Sequence, residues 1–204
     1  MRPDVRQSAL LLAAAIFASA CATSGTTRPA AVETRDESGF TITEQVRFSA
    51  GARRDFETAL RLLENEENDE AVALLVKVTE AAPEATAAHI NLAIGYRRVD
   101  DMKRAQASLE KALVLNPRHP AAHNEMGIVL RRSGRFAEAR GSYEKALDLH
   151  PEFHFARRNL AILCDLFLGD LDCAVENYTI YSRAMPEDEA AAMWIADLHS
   201  RAGR

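Results

Sequence analysis

Two consecutive stretches decide the fold: TAAHINLAIGYRRVDDMKRAQASLEKALVLNPRH, residues 86–119, and PAAHNEMGIVLRRSGRFAEARGSYEKALDLHPEF, residues 120–153. Laid one above the other, they agree in phase. Ala93 stands over Gly127, Ala105 over Ala139, Leu109 over Tyr143, Ala112 over Ala146 and Pro117 over Pro151, each pair 34 residues apart. Apolar residues within each stretch recur at three- and four-residue steps, the period of a helix with one buried face. Each proline follows such a run, where its missing N–H and its ring end the helix. Each stretch therefore reads as two helices joined by a polar turn, at Asp100 and Asp101 or at Ser133 and Gly134.

The same ruler extends outward. Pro83 precedes Pro117 by 34 residues, and Pro186 follows Pro151 by 35. Small residues fall at matching offsets, Ala59 and Ala161 first and then Ala71 and, displaced by one, Ala174. Leu75 and Tyr178 take the next large apolar place, and Val78 and Tyr181 the one after. Four units result, 52–85, 86–119, 120–153 and 154–188, with the extra residue of the fourth near its turn at Gly169 and Asp170, where insertion is cheap. A last amphipathic stretch, Glu189 to Arg201, turns Met193, Trp194, Ile195 and Leu198 toward the unit before it. A terminal unit has no successor to cover it, so this stretch is expected to cap the array.

These residues carry a resemblance to the tetratricopeptide repeat family, which spans about residues 50–204. Asn91-Leu92-Ala93-Ile94-Gly95-Tyr96 and Arg135-Phe136-Ala137-Glu138-Ala139 are typical of it. The resemblance implies an all-α protein, a right-handed α-α superhelix of about four helix-pair repeats plus the C-terminal capping helix. It also implies a concave face lined by the first helix of each unit. Carried onto this chain, one offset of that face gives an apolar strip, Leu60, Ile94, Ile128 and Ile162. Beside it lie Arg97, Arg98, Arg131, Arg132 and Arg158, with Asn124 on the same face. Guanidinium groups there could grip the carboxylates of a captured peptide while the isoleucines bury its apolar side chains. The arginine pairs also suit the C-terminal ends of first helices through the helix dipole alone. Asn91, Asn124 and Asn159 could fix a partner's backbone. They resemble only loosely the carboxylate clamp of chaperone-binding members, because the lysines of that motif are missing.

The N-terminus reads as a targeting segment. Arg2 and Arg6 precede an apolar run from Ala9 to Ala20, and Ala18-Ser19-Ala20-Cys21 resembles a bacterial lipobox, with Ala18 where a leucine is usual. Residues 1–20 are thus expected to be a lipoprotein signal peptide, with Cys21 the lipidated (palmitate-type acylated) residue. Ala22 rather than Asp after it favours the outer membrane, on the periplasmic face. Residues 21–42 are small, polar and charged and read as a flexible tether. Thr41 and Glu44 fit a capping box, so the solenoid is assigned to 43–188 and the cap to 189–204.

The chain of 204 residues carries a net charge of −5, which argues against a nucleic-acid partner, since phosphate contact needs a basic face. Cys164 and Cys173 flank the turn of unit four, and a disulfide between them suits an oxidising compartment, with two buried thiols as the alternative. His119 and His123, and His150 and His154, are four apart, but a proline interrupts each pair, so no metal site is expected. No glycine-rich phosphate loop, GxSxG elbow, HExxH or CxxC is present, and neither an enzyme nor a cofactor is expected. The expected function is a membrane-tethered protein–protein adaptor in the bacterial envelope that assists assembly of a complex by holding another envelope protein or peptide segment. Small tetratricopeptide lipoproteins of similar layout include the pilotins of type IV pilus systems. The alternatives are a dimeric structural lipoprotein, or a regulatory subunit of a periplasmic hydrolase or energy-transduction complex.

Overall fold

A computed structural model describes residues 30–35, 41–46 and 48–203. The expected signal peptide and the lipidation site Cys21 lie outside the described residues. From Ala50 onward every regular element is helical. The helices are α1 (Ala50–Glu64), α2 (Asn68–Ala81), α3 (Thr86–Arg98), α4 (Met102–Leu115), α5 (Pro120–Arg132), α6 (Phe136–Leu149), α7 (His154–Leu163), α8 (Leu171–Ala184) and α9 (Glu189–Arg201). A π-helical turn, Cys164–Leu168, continues α7. Each odd-numbered helix packs against the even one after it, each even helix against the next odd one, and first helices touch first helices of adjacent units. Among the described residues no helix is long and apolar enough to cross a membrane.

The prolines work as the spacing implies. Helices α2, α4, α6 and α8 stop two residues before Pro83, Pro117, Pro151 and Pro186. The same backbone bond then crosses each junction: Ala85 N–H to Ala82 carbonyl at 3.0 Å, His119 to Asn116 at 3.3 Å, Phe153 to His150 at 3.0 Å and Asp188 to Met185 at 3.1 Å. The turns inside units repeat too. Glu66, Asp100, Gly134 and Gly169 all take the left-handed conformation that closes a helix, and two of them tolerate it without being glycine. The closing bond spans five residues in the first three units (Glu67 to Leu62, Asp101 to Tyr96, Arg135 to Leu130) and six in the fourth (Asp170 to Cys164). The extra residue of unit four is thus absorbed by widening the last helical turn into a π-turn.

The small residues sit where helix backbones approach. Ala59, Ala71, Ala105, Ala139, Ala161 and Ala174 are fully buried. The closest approach is at Gly127, where an added Cβ would lie 2.5 Å from the ring of Tyr143, itself fully buried. Unit two solves the same contact with Ala93 against the slimmer Leu109, both in the core.

The N-terminal stretch departs from the sequence reading. Thr41 and Glu44 do not form a capping box. They lie in a strand, β2 (Thr41–Val46), antiparallel to β1 (Ala30–Arg35) in register from Ala30 opposite Val46 to Arg35 opposite Thr41. The β-branched residues Val32, Thr34, Ile42, Thr43 and Val46 favour an extended backbone, and this preference wins over the local capping pattern. Ser49 caps α1 instead, its Oγ accepting from the Ala52 N–H at 3.1 Å. Phe48 stacks on the buried Phe56, with ring centroids 5.6 Å apart.

Candidate functional site: the concave face

The apolar strip stands as one row on four parallel first helices. Leu60, Ile94, Ile128 and Ile162 are each half-buried, packed against the core while keeping an accessible edge. A second row lies deeper, at the offset of Phe56, Ile90, Asn124 and Arg158. It changes character along the solenoid: Phe56 and Ile90 are buried apolar residues, Asn124 is a buried amide and Arg158 a half-buried guanidinium. Asn124 does not wait for a partner, since its Oδ1 accepts from Asn159 Nδ2 at 2.9 Å. Asn91 is also turned inward, donating to the carbonyl of Ala87 at 2.9 Å. The expected row of partner-facing asparagines is therefore occupied within the chain.

The five arginines divide. Arg98 and Arg132 are braces between units. Arg98 donates to the Leu63 carbonyl and to Asn68 Oδ1, and Arg132 donates to the Arg97 carbonyl at 2.8 Å and to Asp100 at 2.7 Å. Each thus adds a second donor to a carbonyl near the C-terminus of the preceding first helix, which already accepts a turn N–H, from Glu66 or from Asp100, at 3.2 Å. Arg97 is paired across units with Glu125 at 2.9 Å. These three have intramolecular work, and the expectation that all five present themselves to a partner is corrected accordingly. Arg131 and Arg158 differ. Arg131 donates to the Tyr143 hydroxyl at 3.4 Å and lies over the Phe167 ring at 5.6 Å. Arg158 lies over Trp194 at 5.4 Å and Tyr181 at 6.0 Å, and its Nε is buried with no hydrogen-bond partner.

Aromatic phenols floor this end of the face. Burial, and next the carboxylate of Asp165, push the Tyr178 hydroxyl up to about 12. Burial raises Tyr181 to about 12 as well, aided by its hydrogen bond to Asp188 at 2.7 Å. Trp194 from α9 closes the end, its ring centroid 5.1 Å from that of Tyr178.

Cys164 and Cys173 are joined by a disulfide, Sγ–Sγ 2.04 Å, which ties the π-turn to the start of α8. Asp170 caps α8 there, accepting from the Cys173 N–H at 3.1 Å, and that bond holds its carboxyl below the usual range. Three of the histidines have structural partners. The Nε2 of His89 lies 2.9 Å from the Pro83 carbonyl, and that of His123 lies 2.9 Å from the Pro117 carbonyl; since a carbonyl only accepts, Nε2 carries the proton in both. Arg157 takes the same place one unit on and donates to the Pro151 carbonyl at 2.8 Å. These clasps were missed by sequence reasoning, although the signal is visible: all three residues stand six places after a repeat proline. His119 accepts from the Ala122 N–H through Nδ1 at 3.3 Å as the cap of α5, and burial pushes it down to about 4.

Residues 90–154 match the tetratricopeptide repeat family. No curated protein sequence matches the chain. Among solved structures, it resembles MamA from Desulfovibrio magneticus RS-1, with 19% identity and a TM-score of 0.66 over 76% of this chain and 87% of that one. It resembles PilF of Pseudomonas aeruginosa with 24% identity and a TM-score of 0.67, over 74% of this chain and 68% of that one. The first tetratricopeptide domain of RPAP3, solved with the HSP90 peptide SRMEEVD, matches with 23% identity and a TM-score of 0.56, over 59% of this chain and 96% of that one. At these identities the likeness establishes the fold.

Proposed function

We propose that this tetratricopeptide-repeat protein is a binding scaffold that holds an extended or helical segment of another envelope protein against its concave face. One observation carries the reading: Leu60, Ile94, Ile128 and Ile162 form a regular apolar row that the fold leaves half-covered on the inner side of four helices. A row at unit spacing fits a linear ligand with apolar residues at intervals, and its edges stay accessible among the described residues. The peptide-bound RPAP3 domain is consistent with it, as one solved example of this fold holding a short peptide.

We place the scaffold at the periplasmic face of the outer membrane, tethered through lipid on Cys21, on the strength of the basic, apolar and small-residue order of residues 2–21. Tethering confines partner search to a thin layer and raises effective concentration, which suits assembly of an envelope complex. Metabolic labelling with a palmitate analogue tests the anchor: wild-type protein takes up label and stays with membranes, and Cys21→Ser protein does neither. In-cell cross-linking followed by mass spectrometry tests the scaffold. Ile94→Asp with Ile128→Asp should remove the cross-linked partner while leaving the helical content intact. An unchanged partner yield from that double variant would refute the groove.

A further inference from the structure

The two arginines that the braces leave over share one neighbourhood. Arg131 on α5 and Arg158 on α7 stand on adjoining first helices, Arg131 over the Phe167 ring of the π-turn that continues α7 and Arg158 over the Trp194 ring that packs 5.1 Å from Tyr178. Neither meets a carboxylate among the described residues. The acidic groups around them are engaged elsewhere: Asp165 accepts from Arg201 at 2.7 Å, Asp188 from the Tyr181 hydroxyl at 2.7 Å, and Glu125 from Arg97 at 2.9 Å. Two partly buried cations that form no ion pair among the described residues, in a chain of net charge −5, leave guanidinium donors that a ligand anion would engage. The Arg158 guanidinium is also held in place, because the faces of Trp194 and Tyr181 flank it. Its Nε is a buried donor with no acceptor among the described residues.

We propose that Arg131 and Arg158 form a carboxylate-binding subsite at the C-terminal end of the concave face, which takes an acidic side chain of a bound peptide. The proposal rests on the scaffold reading and gives it a polarity. In the deeper row Phe56, Ile90 and Asn124 are buried and Arg158 is half-buried, so the ligand meets this row at its C-terminal end and places its acid between α5, α7 and α9. The planar guanidinium fork pairs with a carboxylate through two parallel N–H donors, which a lysine cannot imitate.

Trp194 is the sole tryptophan of the chain and lies against Arg158, so its emission reports on the subsite directly. Full-length protein in detergent at low salt is titrated with an amidated peptide of alternating leucine and glutamate. The same peptide with glutamine for glutamate, and with a free terminal carboxylate, complete the set. The expected result is a saturable emission change with the glutamate peptides, amidated or not, and about tenfold weaker binding in Arg158→Gln, the loss of roughly one charged pair. Arg158→Lys should fall between, and Arg131→Gln should weaken binding on its own should Arg158→Gln misfold. Equal binding of the glutamine peptide, no binding of either amidated peptide, or unchanged affinity in folded Arg158→Gln would each overturn the subsite. A natural partner captured by Arg158→Gln but lost by Ile94→Asp with Ile128→Asp would remove the subsite and leave the scaffold. Loss of neither would remove both.

Discussion

Units three and four are built on one template and held by different chemistry. Unit three opens on a buried histidine cap, His119, where unit four opens on the buried ring of Phe153. Unit three seats Tyr143 against Gly127, where unit four has Tyr178 and Ala161 at the corresponding places. Arg132 ends α5 by bracing the Arg97 carbonyl, where Leu166, 34 residues on, stands 66% exposed and braces nothing. In its place the seam between the two units carries the Phe136–Phe167 ring contact at 4.9 Å, the Asn159–Asn124 bond and the Arg140–Asp170 pair at 3.0 Å, while a disulfide closes the turn of unit four. A solenoid needs only that each neighbour interface be filled and its backbone ends satisfied, so composition drifts while the backbone repeat persists.

The largest effect should come from exchanging the caps. His119 has its folded pKa depressed to about 4, so folding favours the neutral ring. Its contribution is fully present above pH about 6.5 and is lost as pH falls toward 4, about 3 kcal/mol in all. Urea denaturation as a function of pH should show that loss, and His119→Phe, copying unit four, should flatten it. Next comes the disulfide. Reduction, or Cys164→Ala with Cys173→Ala, opens a loop of separation 9 and should cost about 2.5 kcal/mol. Hydrogen exchange should show faster opening in α8 and α9 than in α3 or α4, and uniform loosening of all units would contradict the nearest-neighbour picture. Gly127→Ala should cost about 2 kcal/mol, because the fully buried Tyr143 ring cannot move aside. Adding Tyr143→Leu, the Ala–Leu pairing of unit two, should recover part of the loss, a coupling that a double-mutant cycle would read. Arg132→Leu, which writes the unit-four residue into unit three, should cost less than about 1 kcal/mol, since the pair with Asp100 is solvent-exposed. Added salt should narrow even that difference.

The parts of the fold legible in the sequence are those set by steric exclusion at fixed spacing. A proline stops a helix wherever it stands, and an alanine such as Ala105 or Ala139 marks close backbone approach, so Pro83, Pro117, Pro151 and the alanine rows announce the units. The site was legible only as a face. That Arg97 and Arg132 meet a carboxylate or carbonyl of another unit, while Arg131 and Arg158 meet aromatic groups, depends on what the adjacent unit brings near, a three-dimensional matter that spacing alone does not encode. The insertion in unit four was visible as a count, but its absorption as a π-turn was not, because a longer loop would have satisfied the same count. The hairpin was misread for the opposite reason. The Thr41 and Glu44 pattern is a weak local signal, and it sits among β-branched residues that favour the competing state.

The proline clasps have a mechanical consequence. Where His89, His123 or Arg157 grips the carbonyl six residues behind it, the elbow between consecutive hairpins is pinned at its bend. The last elbow, at Pro186, has Ala192 at that distance, a side chain with no donor to offer. Helix α9 lacks that clasp and is fastened instead by the Tyr181–Asp188 and Arg201–Asp165 links and by the packing of Trp194 on Tyr178. Any change in the cleft beside Trp194 should therefore be sought first at that elbow, which carries one pin fewer than the three upstream.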